Sequence, residues 1–439
     1  MEHVGLALLA VFILLFGMIS KRLESLPITP AMVFSALGIA VGPLGFGVIE
    51  VGADEGILSA LAEATLLLVL FADASTIDLR ILKRSYALPL RLLGIGLPAT
   101  IAFGTGVAML LFPEWSVWQA ALIAAILAPT DAALGQAVVT NERVPSRIRQ
   151  ALNVESGLND GICFPFVAFF LALTTGELSR SSADWAQFAA SQLLWGPLAG
   201  VAVGLIGGRA VTWAVQKRWM NHAFHQLSSL TLAFLAYSVA ELVHGNGFIA
   251  AFVGGMTFGA STPKTVRDTA LDFAETEGAL LGLTAFALFG SVGLSTSVLS
   301  IGPQGVVYAL LSLTVIRVLP VLVSLVGSRL DLASQLFLAW FGPRGLATIL
   351  YVLIAVKDDR LPGRELLFGV AMCTVLLSVF AHGLTATPLA AAYGRHAARK
   401  TAAHPGWAAA VPVAEMTVRH PFRAHRRSPS ATSAARRTG

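Results

Sequence analysis

Seven ionisable side chains stand inside or at the edges of long apolar stretches of this chain: Asp73, Asp131, Glu155, Asp160, Glu241, Arg317 and Arg344. Placing a charge in the middle of a bilayer costs at least about 2.5–3.5 kcal/mol, so such residues persist where they bind something or hold one another. The densest group is Glu155-Ser156-Gly157-Leu158-Asn159-Asp160-Gly161. At about 100° per residue on a helix, Glu155 and Asn159 share one stripe, and Ser156 and Asp160 share the next. Oxygen-bearing side chains thus crowd one sector of the helix. Carboxylate, hydroxyl and amide oxygens suit an alkali cation; the thiolate and imidazole that suit a transition metal are absent from this stretch. The plainer alternative is a hydrogen-bonded cluster that glues helices together, but two carboxylates in one intramembrane turn are costly glue.

Two other apolar segments are interrupted near their middles. Ala128-Pro129-Thr130-Asp131-Ala132 places a proline and two side-chain oxygen groups where a helix needs its backbone bonds. Phe341-Gly342-Pro343-Arg344-Gly345 does the same with two glycines and a proline. Interrupted helices expose carbonyls in the membrane, tolerated only where protein or a water-filled cavity covers them, and transporters coordinate cations at such breaks. Arg317, in Thr314-Val315-Ile316-Arg317-Val318-Leu319-Pro320, needs an anion. Glu155, Asp160 and Asp131 are the candidates on offer, and a buried pair persists only with good geometry. Asp73, after Phe71-Ala72, reads as a helix-end charge, and Glu241 as an interfacial partner of His244 or an accessory proton route.

The elements that position these groups are membrane helices. The chain is 439 residues, 56% hydrophobic and 13% charged, against roughly 25% charged in soluble domains. Spans need about 20 mostly apolar residues, and about thirteen segments qualify. They run near 4–20, 27–48, 56–73, 86–111, 116–139, 150–175, 187–213, 226–244, 246–261, 274–297, 303–328, 332–356 and 365–393. The first resembles a signal peptide in length, but Lys21 and Arg22 follow it and no small-residue cleavage site does, so it reads as a retained helix. Only His244-Gly245-Asn246-Gly247 separates the eighth segment from the ninth, and the stretch from Arg267 to Glu277 reads as an interfacial lead-in to the tenth.

Alternate loops carry Lys21/Arg22, Arg80/Lys83/Arg84, Arg143/Arg147/Arg149, Lys217/Arg218, Lys264/Arg267 and Arg329; the opposite loops carry Arg180, Lys357, Arg360 and Arg364. That asymmetry predicts a multi-pass protein with its N-terminus outside and its C-terminus in the cytoplasm. Residues 394–439, rich in Ala, Arg, His, Ser and Pro, read as a basic disordered tail lying near anionic lipid or serving a regulatory partner. Cys163 and Cys373 lie in apolar runs and read as small buried hydrophobes. The interrupted segments are the fifth and the twelfth. An offset of seven puts equivalent helices in opposite orientations, which points to inverted repeats of about 1–175 and 226–393 joined by a linker helix at 187–213.

These residues carry a family resemblance. Residues 1–393 resemble the monovalent cation:proton antiporter family that includes sodium/proton exchangers, in the branch with an Asn-Asp pair on the sixth helix. Glu155-Ser156-Gly157-Leu158-Asn159-Asp160-Gly161 is close to the family pattern E-S-L-x-N-D, with Thr130-Asp131 and Gly342-Pro343-Arg344-Gly345 at the expected distances on either side. There are two departures. Pro129 precedes the Thr-Asp pair and Ala132 follows it, where the family usually shows Thr-Asp-Pro. Gly157 stands where leucine is usual, which leaves room for another helix to approach.

The resemblance implies an all-α membrane protein of about thirteen transmembrane helices, with two broken crossing helices and a core that moves against a dimerisation domain. It implies that Asp160 takes the ion and the proton in turn, with Ser156, Asp131 and the backbone at Thr130 ligating or positioning the ion. It further implies that Glu155 pairs with Arg317, that Asn159 braces them, and that Arg344 occupies the second broken helix. The expected activity is exchange of Na+, K+ or Li+ for H+ across the cell membrane, electroneutral, by a homodimer, with no cofactor, no enzymatic reaction and no nucleic acid. Either ligand neutralises Asp160 and frees the core to move; the bare charge is held back by the cost of crossing lipid. Other classes fit less well. A passive cation channel favours repeated pore loops or charged rings. An intramembrane aspartyl protease wants two aspartates in symmetric settings, unlike Gly157-Leu158-Asn159-Asp160.

Overall fold

The computed structural model describes residues 2–23, 28–43, 45–47, 55–77, 86–131, 134–176, 194–293, 301–404 and 406–413, and every regular element in them is helical. Arg80, Lys83, Arg84 and Arg180 of the loop asymmetry, and Ala132, lie outside the described residues. Helix α1 (Glu2–Leu23) ends on Lys21 and Arg22. Its Val11, Leu14, Leu15, Met18 and Ile19 are all at least half exposed, an apolar face that suits lipid rather than water. Helices α2 (Pro30–Val41) and α3 (Glu55–Thr76) follow. Helix α4 (Ala87–Leu111) contains one wide turn at Leu92–Gly96.

Two helices are interrupted as expected. Helix α5 (Val117–Ile126) starts on a reciprocal cap: Gln119 N–H donates to Ser116 Oγ, and Ser116 N–H to Gln119 Oε1. It stops where Pro129 has no N–H to return to Ala125. The chain passes through Thr130 and Asp131 without helix, and α6 (Gln136–Val139) is a short resumption. The second interruption lies between α13 (Leu332–Trp340) and α14 (Leu346–Val356). Between the two breaks come α7 (Ser146–Thr174), α8 (Gly196–Gln216), α9 (His222–Leu242), α10 (Gly247–Ser261), α11 (Lys264–Gly293) and α12 (Gly302–Ser324). Helix α15 (Arg364–Ala403) closes the helical order.

Among the described residues, α4, α7, α8, α12 and α15 are long and apolar enough to cross a membrane, and α2, α5, α10 and α14 are shorter apolar helices. The breaks shorten α5 and α14; each is half of an interrupted segment. The eighth and ninth segments are separate helices, because Asn246 Oδ1 accepts from Phe248 and Ile249 N–H and starts α10 afresh. The lead-in at Arg267 to Glu277 is part of the continuous helix α11.

The C-terminal region differs from expectation. Residues 394–403 continue α15, and 406–413 fold back onto the start of α7. Arg147 Nη1 donates to Ala408 O at 2.6 Å, and Val413 N–H to Ser146 Oγ at 3.2 Å. Tyr393, Ala397, Trp407 and Ala409 are buried with Val144, Ile148 and Phe337. These few apolar anchors are diluted by the charged residues around them, which is why composition reads the stretch as a tail. Residues 414–439 lie outside the described residues.

Helix α10 sets the spacing of the acidic helices. A side chain at Gly255 or Gly259 would strike the backbone of α3 at Phe71 or Ser75, so the turn of α3 that carries Asp73 lies directly on α10. Close approach through small residues is the usual way membrane helices pack, since lipid supplies no hydrophobic drive between them. On the α7 side, the Phe252 ring of α10 fills the space where Gly161 has no side chain. Gly157, by contrast, faces open space, so the close approach expected there occurs one turn later, at Gly161.

Candidate functional site

Helix α7 carries Glu155, Ser156, Asn159 and Asp160 on successive turns, and the two breaks meet against it. The interrupted backbones satisfy one another. Asp131 N–H donates to Pro343 O at 2.8 Å, and Asp131 Oδ2 accepts from Leu346 N–H, the start of α14, at 2.9 Å. Thr348 Oγ1 donates to Ile126 O at 3.1 Å, at the end of α5. A carboxylate at a helix start and a hydroxyl at a helix end each supply a bond the helix cannot make for itself. Gly345 is required here, because any side chain would occupy the place of the Asp131 carboxylate.

Thr130 ties the first break to α7. Its Oγ1 accepts from Asn159 Nδ2 at 2.6 Å and lies 3.1 Å from Ser156 Oγ. Thr130, Asn159 and Ser156 are all buried. One turn before Asn159 on the same stripe of α7, Glu155 forms an ion pair with Arg317 of α12 at 2.5 Å, both side chains at most 3% exposed. Gly342 makes room for this pair: a Cβ there would lie 2.6 Å from Arg317 Nε. Arg344 is completely buried. Its Nη1 donates to Gly342 O at 2.7 Å, and its N–H to Ser378 Oγ at 2.6 Å. Among the described residues no carboxylate lies within ion-pair distance of it, and its Nε and Nη2 have no hydrogen-bond partner.

Asp160 lies one residue beyond Asn159, half-buried as a residue, with Oδ1 shielded and without a donor. Glu155 Oε2 and Asn159 Oδ1 are buried acceptors in the same condition. Buried acceptors without donors are costly; a carboxylate oxygen can be met by a proton, a cation or a water, and an amide oxygen by a donor or a cation. Asp131 and Asp73 are the carboxylates whose charges act on Asp160. Tyr351 of α14 donates its hydroxyl to the Asp160 backbone carbonyl, and its ring stands edge-on to Phe164 at 5.5 Å. The middle of α14 is thereby tied to the residue that carries the unpartnered carboxylate.

Thr130, Asp131, Glu155, Ser156, Asn159, Asp160, Arg317 and Arg344 therefore converge from α5, α7, α12 and the α13–α14 break. Asp73 lies in the last turn of α3, as expected for a helix-end charge, and that turn packs on α10. Sequence reasoning missed Thr348, Tyr351, Ser378 and His382. The available signal was that each is polar within an apolar run. Glu241 lies away from the cluster, where Oε1 accepts from Gly247 N–H at 3.1 Å and supports the start of α10.

Helices throughout the described residues, two interrupted helices bonded to each other and carboxylates at their meeting point form the arrangement in which secondary transporters place their ion sites. A family model described as sodium/hydrogen exchanger, transmembrane, matches residues 8–392, and the chain belongs to that family. Among relatives, it is 25% identical over 397 residues to a K(+)/H(+) antiporter NhaP of Alkalimonas amylolytica, a match covering 89% of this chain and 67% of the relative. It is 26% identical over 378 residues to a Na(+)/H(+) antiporter of Saccharomyces cerevisiae, covering 80% of this chain and 38% of that protein. The NhaP2 K(+)/H(+) antiporter of Shewanella sp. strain MR-4 is 26% identical over 388 residues, with 88% of this chain and 65% of the relative covered. The chain thus spans between about a third and two thirds of the length of these relatives. The fold matches that of the sodium proton antiporter MjNhaP1 from Methanocaldococcus jannaschii with a TM-score of 0.72 at 20% identity, covering 89% of this chain and 98% of that one.

Proposed function

We propose that this chain exchanges a monovalent cation for protons across a membrane, with Asp160 holding one or the other in turn. The observation that carries this is the buried, donor-free Oδ1 of Asp160 at the meeting point of two interrupted helices. The Glu155 charge is met by Arg317, and Asp131 Oδ2 is occupied at the start of α14. Asp160 is then the carboxylate left to titrate, which favours one-for-one, electroneutral exchange. Ser156 and the Thr130 backbone are assigned as further oxygen ligands. Asn159 holds Thr130 in place, and Asp131 braces the crossing while adding to the negative field. Arg344 keeps the second break closed.

Na+ and K+ both have support, because relatives are named for each; Li+ is the third candidate. The same proposal includes about thirteen transmembrane helices in two inverted repeats. It also includes a plasma-membrane location with the N-terminus outside and the C-terminus cytoplasmic, a homodimer, and a basic segment beyond residue 413 near anionic lipid. Reconstitution into vesicles holding a pH gradient tests the exchange. Addition of Na+, K+ or Li+ is expected to shift lumenal pH for at least one of them, and Asp160→Asn is expected to abolish the response in a protein that still purifies as a folded species. Silence with all three cations rejects exchange; wild-type rates in Asp160→Asn reject the residue assignment.

A further inference from the structure

Helix α15 carries a polar stripe that none of the exchange chemistry above uses: buried Ser378 and His382 and half-buried Thr385, spaced i, i+4 and i+7 on one face. Each reaches the end of α13 or the break that follows it. His382 Nε2 lies 3.0 Å from Trp340 O, the last carbonyl of α13. Thr385 Oγ1 accepts from Trp340 Nε1 at 3.1 Å, and the Trp340 and His382 rings pack with centroids 5.0 Å apart. Ser378 Oγ accepts from Arg344 N–H at 2.6 Å and lies 3.2 Å from His382 Nδ1.

A carbonyl oxygen accepts only, and each ring nitrogen of His382 has one within reach: Trp340 O lies 3.0 Å from Nε2 and Ser378 O lies 3.1 Å from Nδ1. With the proton on Nε2, His382 donates to Trp340 O, and Nδ1 accepts the hydrogen of Ser378 Oγ, which itself receives the Arg344 N–H. The bonds form one chain: Arg344 N–H to Ser378, Ser378 O–H to His382 Nδ1, His382 Nε2–H to Trp340 O. It links the two sides of the α13–α14 break through a third helix. A break of this kind frees a carbonyl on one side and an N–H on the other, and this chain meets one of each. His382 is itself 1% exposed. Arg344 and Arg317 are the charged groups that act on it.

We infer that His382, as its Nε2–H tautomer, is a positioning residue for exchange: it clasps the end of α13 to α15 and, through Ser378, holds Arg344 and the second break in the geometry that faces Asp160. It touches neither ion nor proton. Tyr393 and Ser334, 2.7 Å apart, join the same two helices lower down, so α13 and α15 form one body, with the clasp at the end nearest the site.

The test compares His382→Leu, of similar bulk without hydrogen bonds, with His382→Gln, whose amide can donate to Trp340 O. Two readouts are used on the purified full chain. The first is amide hydrogen exchange over residues 340–346, which is independent of transport. Leu is expected to speed exchange there about tenfold, the range for one lost buried hydrogen bond, since Trp340 O keeps the Gly342 N–H as its other donor, and Gln to remain near wild type. The second rests on the exchange function above: in vesicles, the maximal rate is expected to fall about tenfold in Leu, with the half-saturating cation concentration changing less than about twofold, and to recover in Gln. Unchanged amide exchange in Leu overturns the clasp whether or not the protein transports. A raised half-saturating concentration with an unaltered maximal rate also overturns it, because that assigns His382 to ion binding. Silence of the wild type in vesicles, with the amide pattern as expected, rejects the transport function and leaves the clasp standing on the first readout.

Discussion

Arg317 and Arg344 are the bulkiest of the nearly fully buried side chains, and they are held by different means. Arg317 has a carboxylate, Glu155, at 2.5 Å. Arg344 is held by backbone and hydroxyl oxygens. Removing one member of a buried pair leaves the other charge uncompensated, at a cost of about 3–5 kcal/mol, whereas replacing both with apolar groups is often neutral. Arg317→Ala is therefore expected to lower unfolding stability in detergent by about 3–5 kcal/mol, and the double change Glu155→Leu with Arg317→Leu to recover most of it. Equal losses in the single and double variants would mean that the pair is not what holds these groups. The residues alone made Arg317 legible as a charge needing an anion and left Glu155, Asp160 and Asp131 as partners, while the family resemblance implied Glu155. Helix packing selects Glu155, because Gly342 gives the guanidinium room on that side.

The two interrupted helices work as a joint. Their broken ends exchange three hydrogen bonds: Asp131 N–H to Pro343 O, Leu346 N–H to Asp131 Oδ2, and Thr348 Oγ1 to Ile126 O. Gly345→Ala places a methyl group where the Asp131 carboxylate lies, and is expected to destabilise by about 1–3 kcal/mol, the usual cost of overpacking, while cutting exchange in vesicles more steeply than Gly157→Ala. Gly157→Ala faces open space and serves as the comparison; equal behaviour of the two variants would remove the joint from the mechanism. Pro129 and the Gly342-Pro343 pair made both breaks legible in the sequence, because each denies the helix a backbone bond. What receives the freed groups was not legible. The receivers lie more than two hundred residues away along the chain, and pattern within a segment carries no information about them.

At the scale of the molecule, α15 spans about 60 Å at 1.5 Å per residue, about twice the hydrocarbon thickness. Its last turns bring His396 to Asp331 at 2.8 Å, at the start of α13, and residues 406–413 pack on the start of α7. The C-terminal segment thus ties the starts of α13 and α7 to the end of α15. Burial pushes the Asp331 carboxyl up, but hydrogen bonds from Ser334 and His396 and the His396 charge outweigh it and hold the group below its ordinary value. A lowered carboxyl contributes stability above its unfolded titration point and loses it as pH falls through the folded one. Asp331→Asn is therefore expected to melt below wild type near neutral pH, with the gap closing below about pH 4. A gap that widens on acidification would contradict this linkage.

Composition and period alone determined that this is a helical membrane protein, where its two helices break, and that Glu155 to Asp160 crowd oxygen-bearing side chains onto one turn of α7. Those features are local: a span, a proline and a turn of α7 can each be read within about 20 residues. Tertiary structure decided that Glu155 pairs with Arg317, that Gly161 rather than Gly157 is the close contact, that the Asp73 turn of α3 packs on α10, and that residues 394–403 continue α15 while 406–413 fold back. Each of these depends on which surfaces face one another across the bundle, and that is set by the fit of small and large side chains between helices distant in sequence.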